Sequence, residues 1–172
     1  ELGAIDIYSC FPSAVQVAAA ELGLPIDDPA RPLTLTGGLT FAGGPWNNYS
    51  THAIAATIAD VRTTGRPALV TANSGYLTKH SMGVYAASPG DGFRRTSAQD
   101  LVGAEPTTPL VVEVAADAEL EAWTVVHDRD GNPEQALAAL RLADGSRTLA
   151  RSTDPALAAH LAVAEAEGSK AS

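Results

Sequence analysis

The chain is poor in cysteine, methionine, aromatics and positive charge. Its one cysteine, Cys10, excludes an intrachain disulfide framework and a cysteine-rich zinc site. Eleven Lys and Arg stand against twenty Asp and Glu, for a net charge of -9 over 172 residues. That balance argues against nonspecific binding to nucleic acid or to an anionic membrane surface, both of which rely on clustered cations. No apolar run approaches the roughly 20 residues of a membrane span. The opening ELGAIDIYSC has neither a basic region nor a signal-peptide core. It reads as the run-in to a strand, cut from something longer, and a cytoplasmic location is expected. His52, His80, His127 and His160 are dispersed without close metal-ligand spacing, so no metal is expected. Aromatics make up only 5% of the chain, which predicts a core of thin Ala, Val and Leu layers.

What is present divides in two. Residues 1–88 alternate short apolar runs with helical patterns, the mark of α/β layering. Strands are predicted at 4–8, 32–36, 67–72 and 82–87, with a loop of small and polar residues before the last. A helix is predicted over 12–22, with Pro12 in its first turn and Gly23 as its stop. A second runs to about Thr64, capped by Asn47 or Asn48 and ended by Gly65. Residues 89–109, rich in Gly, Pro and Thr, read as a linker. Residues 110–172 are β-rich, with strands predicted at 110–114 and 120–127. DRDGNP and the Asp144-Gly145 pair are turn signals. EQALAALRLA has helix-forming composition, but its place between two turn signals predicts a hairpin strand. A helix over 155–166, capped by Asp154, closes the chain.

The motif-bearing stretch is GGLTFAGGPWNNYSTHAIA, residues 37–55: a glycine-rich loop that opens an amphipathic helix. Such a loop lets backbone approach a ligand closely. It lacks the Lys-Ser/Thr ending of a P-loop, which argues against nucleotide binding by that mechanism. Cys10 reads either as a nucleophile with His52 or His80 as base, or as a small buried residue at a strand end. Tyr8 reads either as a proton-transfer group or as a packed strand-end ring. His127 and His160 read as structural.

Three blocks of the first segment resemble the C-terminal half of the thiolase superfamily. AIDIYSCFPSAVQVAAAELGL resembles the block in which Asn-Glu-Ala-Phe, or His-Asp-Cys-Phe in sterol-carrier-type thiolases, ends a strand; Cys10 and Phe11 match the latter. TGGLTFAGGP resembles the Gly-Gly…Gly-His-Pro block, with Gly37, Gly38, Gly43 and Pro45 matching and Gly44 in the histidine's place. PALVTANSGYLTKHSMGVY resembles the Cys-x-Gly block, with Asn73 where the cysteine would stand and Gly75 matching. LEAWTVVHDRDGNPEQALAALRLADGSRTLARSTD resembles the extra C-terminal domain of thiolase-like proteins. More loosely, it resembles the OB-type barrel of proteins that partner thiolase-like aldolases.

The resemblance implies a thiolase-like C-terminal half, a layered sheet with helices, followed by a small β-barrel-like domain of OB type. It implies coenzyme A or an acyl-CoA as substrate or ligand, no other cofactor, and a place in lipid metabolism as an acetyl-CoA acetyltransferase-like transferase. The partner it implies is the N-terminal thiolase half, which carries the family's nucleophilic cysteine. Gly44 and Asn73 replace the catalytic histidine and second cysteine, so degenerate catalysis is expected. The ligand is expected where Cys10, Gly43, Gly44, Trp46, Asn73 and Gly75 converge, with Tyr8 and His80 as candidate catalytic groups. Trp46 is read as a plug of that pocket rather than a stacking platform. The alternatives are a retro-aldolase or lyase on acyl-CoA using Tyr8, and a module in which the C-terminal domain docks a protein partner or an acyl chain.

Overall fold

Strand β1 (Ile5–Asp6) places a carboxylic acid in the middle of an apolar run, with both residues buried. In the computed structural model, which describes residues 2–166 and 168–171, this strand is the start of a mixed α/β architecture. It pairs in parallel with β2 (Ala68–Ser74), which pairs antiparallel with β3 (Lys79–Tyr85). Helix α1 (Pro12–Glu21) begins on Pro12 and buries Ala14 and Ala19. Ile5, Ile7, Ala19, Leu33 and Leu69 form one core cluster. A short helix α2 (Leu39–Ala42) and a 3-10 turn (Trp46–Asn48) lead into α3 (Tyr49–Thr64). That helix buries Tyr49, Ala53, Thr57 and Val61, a four-residue spacing that lays one stripe against β2. Tyr49, Ala53 and Val70 make the second cluster. Gly65, left-handed at φ 71°, ends the helix as its sequence predicts.

Three local expectations are corrected here. Residues 32–36 form no strand, because their polar groups turn to Asp6. The Asp6 Oδ2 atom accepts from Leu35 N at 2.8 Å, Thr36 N at 3.1 Å, Thr34 Oγ1 at 2.9 Å and Thr36 Oγ1 at 3.2 Å. Backbone N–H groups bound to a side chain are not free for a ladder. Neither Asn47 nor Asn48 caps α3 through its side chain, since the 3-10 turn makes the entry and Asn48 already has helical φ and ψ. The expected loop before residue 82 is a hairpin whose turn occupies 75–78, so β3 starts at Lys79.

The chain falls into two compact units, one up to Arg95 and one from Thr96. In the second, α4 (Gln99–Ala104) occupies part of the stretch expected to be linker. Strands β4 (Ala118–His127), β5 (Pro133–Leu142), β6 (Arg147–Ser152) and β7 (Lys170–Ala171) form one antiparallel sheet in the order β6-β5-β4-β7. EQALAALRLA is therefore strand, as its flanking turns predict. Asp128 accepts from Asp130 N and Asn132 N in the first turn, and Asp144 accepts from Ser146 N and Oγ in the second. Helix α5 (Pro155–Leu161) is capped by Asp154, which accepts from Ala156 N at 2.9 Å. It ends five residues short of its expected limit at Ala166. Residues 110–114 supply only an isolated bridge, Leu110 with Arg147, rather than a strand. An OB-type barrel closes five strands, whereas the sheet of the described residues has four. Glu1 and Ser172, the outer limits of the expected segments, lie outside the described residues. Among those residues no helix is long and apolar enough to cross a membrane.

Two outcomes follow from the Asp6 cluster. Asp6→Ala should cost about 3 kcal/mol in urea unfolding, since two part-buried backbone donors lose their acceptor at roughly 1–3 kcal/mol each and the buried Tyr49 hydroxyl loses its own. The second concerns Tyr49, fully buried, whose hydroxyl donates to Asp6 Oδ1 at 2.7 Å. Burial first, and Asp6 after it, raise this hydroxyl above its ordinary 10.0. The unfolded tyrosine ionises first, so its stabilisation is whole below about pH 10 and is lost as pH rises towards the folded value. The stability difference between the native chain and Tyr49→Phe should be flat from about pH 7 to 9 and shrink above about 10. A difference that grows above pH 10 would contradict this linkage.

Candidate functional site

Three loops of the first unit meet at the end of β1 and β2. The first, Tyr8 to Phe11, leaves β1 and is tied to β2 by Tyr8 N donating to Thr71 Oγ1 at 3.0 Å. Across it, Cys10 Sγ donates to Asn73 Oδ1 at 2.7 Å, and Asn73 Nδ2 donates to the Tyr8 carbonyl at 3.3 Å. Tyr8, Cys10 and Asn73 are thus held together, with each at least partly buried. The Tyr8 ring meets Tyr49 edge-on at 5.0 Å between centroids. Its hydroxyl makes no hydrogen bond to any described residue. An amide oxygen that accepts a hydrogen bond from the thiol is the wrong partner for a thiolate nucleophile, which needs a donor or cation beside it.

The glycine loop joins this cluster through Ser9, whose Oγ accepts from Leu39 N at 3.0 Å. Gly38, at φ 80° and ψ -178°, occupies a region open essentially only to glycine. A Cβ there would also come within 2.9 Å of Ser9 Oγ. The loop's donors are spent internally. Gly37 N and Gly38 N donate to Thr34 Oγ1, Gly43 N and Gly44 N to the Leu39 carbonyl, and Trp46 N to the Gly44 carbonyl. No free pair of N–H groups at these positions points outward as an anion nest. A cleft of about 530 Å³ opens beside the loop, lined by Ile7, Ser9, Cys10, Gly37, Gly38 and Leu39 among others.

The remaining expected site residues spread from this centre. Gly43 and Gly44 lie past α2, both at positive φ, with nothing within 4 Å of where a Cβ would stand. Trp46 is 91% exposed at φ 52°, so it plugs no pocket among the described residues. Gly75 begins the β2–β3 turn, in which Tyr76 and Leu77 also adopt positive φ. Tyr76 stacks on Phe11 at 6.1 Å, bringing the third loop to the first. His80 lies on β3 rather than in the loop, directly opposite Asn73 in the hairpin register. Its Nε2 donates to the Leu77 carbonyl at 2.7 Å and its ring is exposed. His52, also exposed, hydrogen-bonds with the Asn48 side chain at 3.2 Å. No group of three potential metal ligands forms among the described residues.

Sequence reasoning missed the residues that hold the loops: Asp6, Ser9, Thr34, Thr36 and Tyr49. A signal existed in an acid flanked by isoleucines, since a carboxyl group inside an apolar strand must find donors.

The arrangement is that of a thiolase-like protein. Residues 97–172 match the family described as the thiolase-like protein type 1 additional C-terminal domain. Over 98% of its length the chain superposes on the crystal structure of a monomeric SCP2-thiolase-like protein type 1 from Mycobacterium smegmatis, with a TM-score of 0.86 and 37% identity. It spans 37% of that protein's length. No curated protein matches the chain. The chain belongs to the thiolase-like superfamily and carries its type 1 additional C-terminal domain.

The Cys10–Asn73 pair predicts slow chemistry at sulfur. Cys10 should react with a disulfide reagent at least about tenfold more slowly than an exposed thiol, because burial and the donated proton both disfavour attack. Asn73→Ala should restore several-fold of that rate; an unchanged rate would show that the hydrogen bond does not govern access.

Proposed function

We propose that this chain is the C-terminal portion of a protein that binds coenzyme A or an acyl-CoA thioester and has lost thiolytic catalysis. The observation that carries the reading is the Cys10–Asn73 contact: two positions that resemblance assigns to the acyl-transfer site touch, and one is an amide. Thiolysis needs a base to take the attacking thiol's proton and an acid to return one to the leaving carbanion. Gly44 offers no side chain, Asn73 does not titrate near neutrality, and His80 is exposed on β3 with its Nε2 bonded to the Leu77 carbonyl of its own turn. Tyr8, Cys10, Gly43, Gly44, Asn73 and Gly75 are the proposed thioester wall, with the exposed Trp46 as a stacking surface at its edge. The N-terminal thiolase half is the proposed partner of this wall, and the proposed setting is cytoplasmic lipid metabolism.

A second reading rests on Tyr8, whose hydroxyl, without a hydrogen bond among the described residues, sits in the cluster as an available proton carrier. In that case the protein is an acyl-CoA retro-aldolase, and Tyr8→Phe would abolish carbon–carbon cleavage while leaving coenzyme A binding intact.

In the full-length protein, calorimetry should detect coenzyme A binding while acetoacetyl-CoA thiolysis stays at background. Gly44→His should fold, at about 1–2 kcal/mol for a left-handed non-glycine residue, and should not restore activity. Thiolysis by the unmodified protein, or no binding of coenzyme A, would overturn the proposal.

A further inference from the structure

An apolar groove of about 1070 Å³ lies in the second unit, where the seven residues of α5, about 10 Å, cover strands of ten, about 33 Å. The cleft beside Cys10 says more, because its glycine loop hangs from one side chain. Thr34 lines that cleft together with Cys10, Gly37, Gly38 and Leu39. Its Oγ1 accepts from Gly37 N at 3.1 Å and from Gly38 N at 3.0 Å, and donates to Asp6 Oδ2 at 2.9 Å. A hydroxyl has one proton and two acceptor positions. By taking the proton, Asp6 leaves both acceptor positions of Thr34 for the two glycines. Asp6 Oδ2 is itself fixed by Leu35 N and Thr36 N, so the hydroxyl is aimed by a buried and fully engaged group.

The glycines do not fix the loop by themselves. Gly37 and Gly38 stand at φ 85° and 80°, and glycine leaves such a conformation as freely as it enters it. Gly37 N has no second acceptor among the described residues, and Gly38 N has one in Thr36 Oγ1 at 3.2 Å. The next attachment is Leu39 N, held by Ser9 Oγ one residue before Cys10. The cleft wall therefore follows the Thr34 oxygen on one side and the Cys10 loop on the other. A hydroxyl that served the turn alone would, when removed, lower stability without changing what reaches Cys10. One that shapes the wall changes both.

We propose that Thr34 is a positioning residue of the cleft: oriented by Asp6, its hydroxyl holds the glycine loop as a wall and so sets access to Cys10 and the affinity of the site for a thioester. The affinity part rests on the coenzyme A reading, whereas access to the thiol does not.

The test compares variants of the full-length protein whose circular dichroism is native. Thr34→Val removes the oxygen and keeps the branched shape, Thr34→Ala removes it without setting a methyl group against the glycine nitrogens, and Thr34→Ser keeps it. The readout is the rate at which Cys10 reacts with a disulfide reagent, followed at that residue by peptide mass spectrometry. Both variants without the oxygen should react about fivefold faster or more, the factor that one net hydrogen bond is worth. Thr34→Ser should keep the native rate. Val61→Ala lowers stability through a cavity on the buried face of α3, outside the cleft lining, and should keep the native rate too. Coenzyme A measured by calorimetry should bind about fivefold more weakly to Thr34→Val and Thr34→Ala and as in the native protein to Thr34→Ser. A native Cys10 rate in the two oxygen-free variants, or equal acceleration in Val61→Ala or Thr34→Ser, would overturn the proposal. Accelerated labelling with unchanged coenzyme A affinity would overturn its affinity part. Accelerated labelling in a protein whose native form binds no coenzyme A would support the positioning role and overturn the coenzyme A reading instead.

Discussion

The first unit depends on one buried carboxyl group. Asp6 is fully buried and receives hydrogen bonds from two backbone N–H groups and three hydroxyls. Without such donors a carboxyl group removed from water costs several kcal/mol. The donors come from residues 34–36 and from Tyr49, so strand β1, the approach to the glycine loop and the first turn of α3 are satisfied only together. Thr34 then passes the constraint on, because its Oγ1 also accepts from Gly37 N and Gly38 N. A side chain on a two-residue strand thus sets the path of the loop that faces the cleft.

The same network limits the chemistry. A loop whose N–H groups already have acceptors is a shaped wall rather than an electrostatic clamp, since stabilising a developing oxyanion requires donors held ready for it. Ser9 shows the trade directly: its hydroxyl, one residue from Cys10, is used to hold Leu39 N. The polar atoms that remain around Cys10 are an amide and a carbonyl, neither of which moves protons near neutrality. The phenol of Tyr8 is the exception, and it is what keeps a lyase reading in play.

How much of this was legible in the sequence varies with the kind of signal. Turn chemistry read well: the Asp128 to Asn132 turn and the Asp144-Gly145 turn bracket β5 and overrule the helical composition of EQALAALRLA. Helices α1 and α5 announced themselves through proline at the first position. The three loops of the expected site also do meet, through Cys10, Asn73, Ser9, Phe11 and Tyr76. Short apolar runs misled. Residues 32–36 and 110–114 have strand composition, but a strand needs a partner edge. In one case the backbone donors go to Asp6, and in the other only one bridge to Arg147 forms. The opposite error hid the first half of β3, whose polar Lys79-His80-Ser81 is exposed on an edge strand and looks like loop. Trp46 reads as a plug because it is a bulky ring in a loop of small residues, yet a positive φ in an open loop carries its ring into solvent.

Alanine content, the plainest feature of the composition, turns out to mean two different things. In the first unit Ala19 and Ala53 are wholly buried: Ala19 joins the cluster of Ile5, Ile7, Leu33 and Leu69, and the methyl group of Ala53 lets the α3 backbone close onto β2. There the sixteen residues of α3, about 24 Å, match the seven residues of β2, about 23 Å, and alanine becomes tight core. In the second unit the same residue lines β5 and β6, but the helix above covers less than a third of the strand length. Small side chains under a cover of matching length make contact; under a short one they make a void. Whether an alanine-rich sheet becomes core or groove is therefore decided by the stop signal of the opposing helix. Here that stop falls at Leu161, in a run whose sequence AVAEA favours continuing the helix. The end is set instead by tertiary contact, with the Leu161 carbonyl taken by Trp123. One indole hydrogen bond thus stands at the boundary between a packed sheet and an open groove.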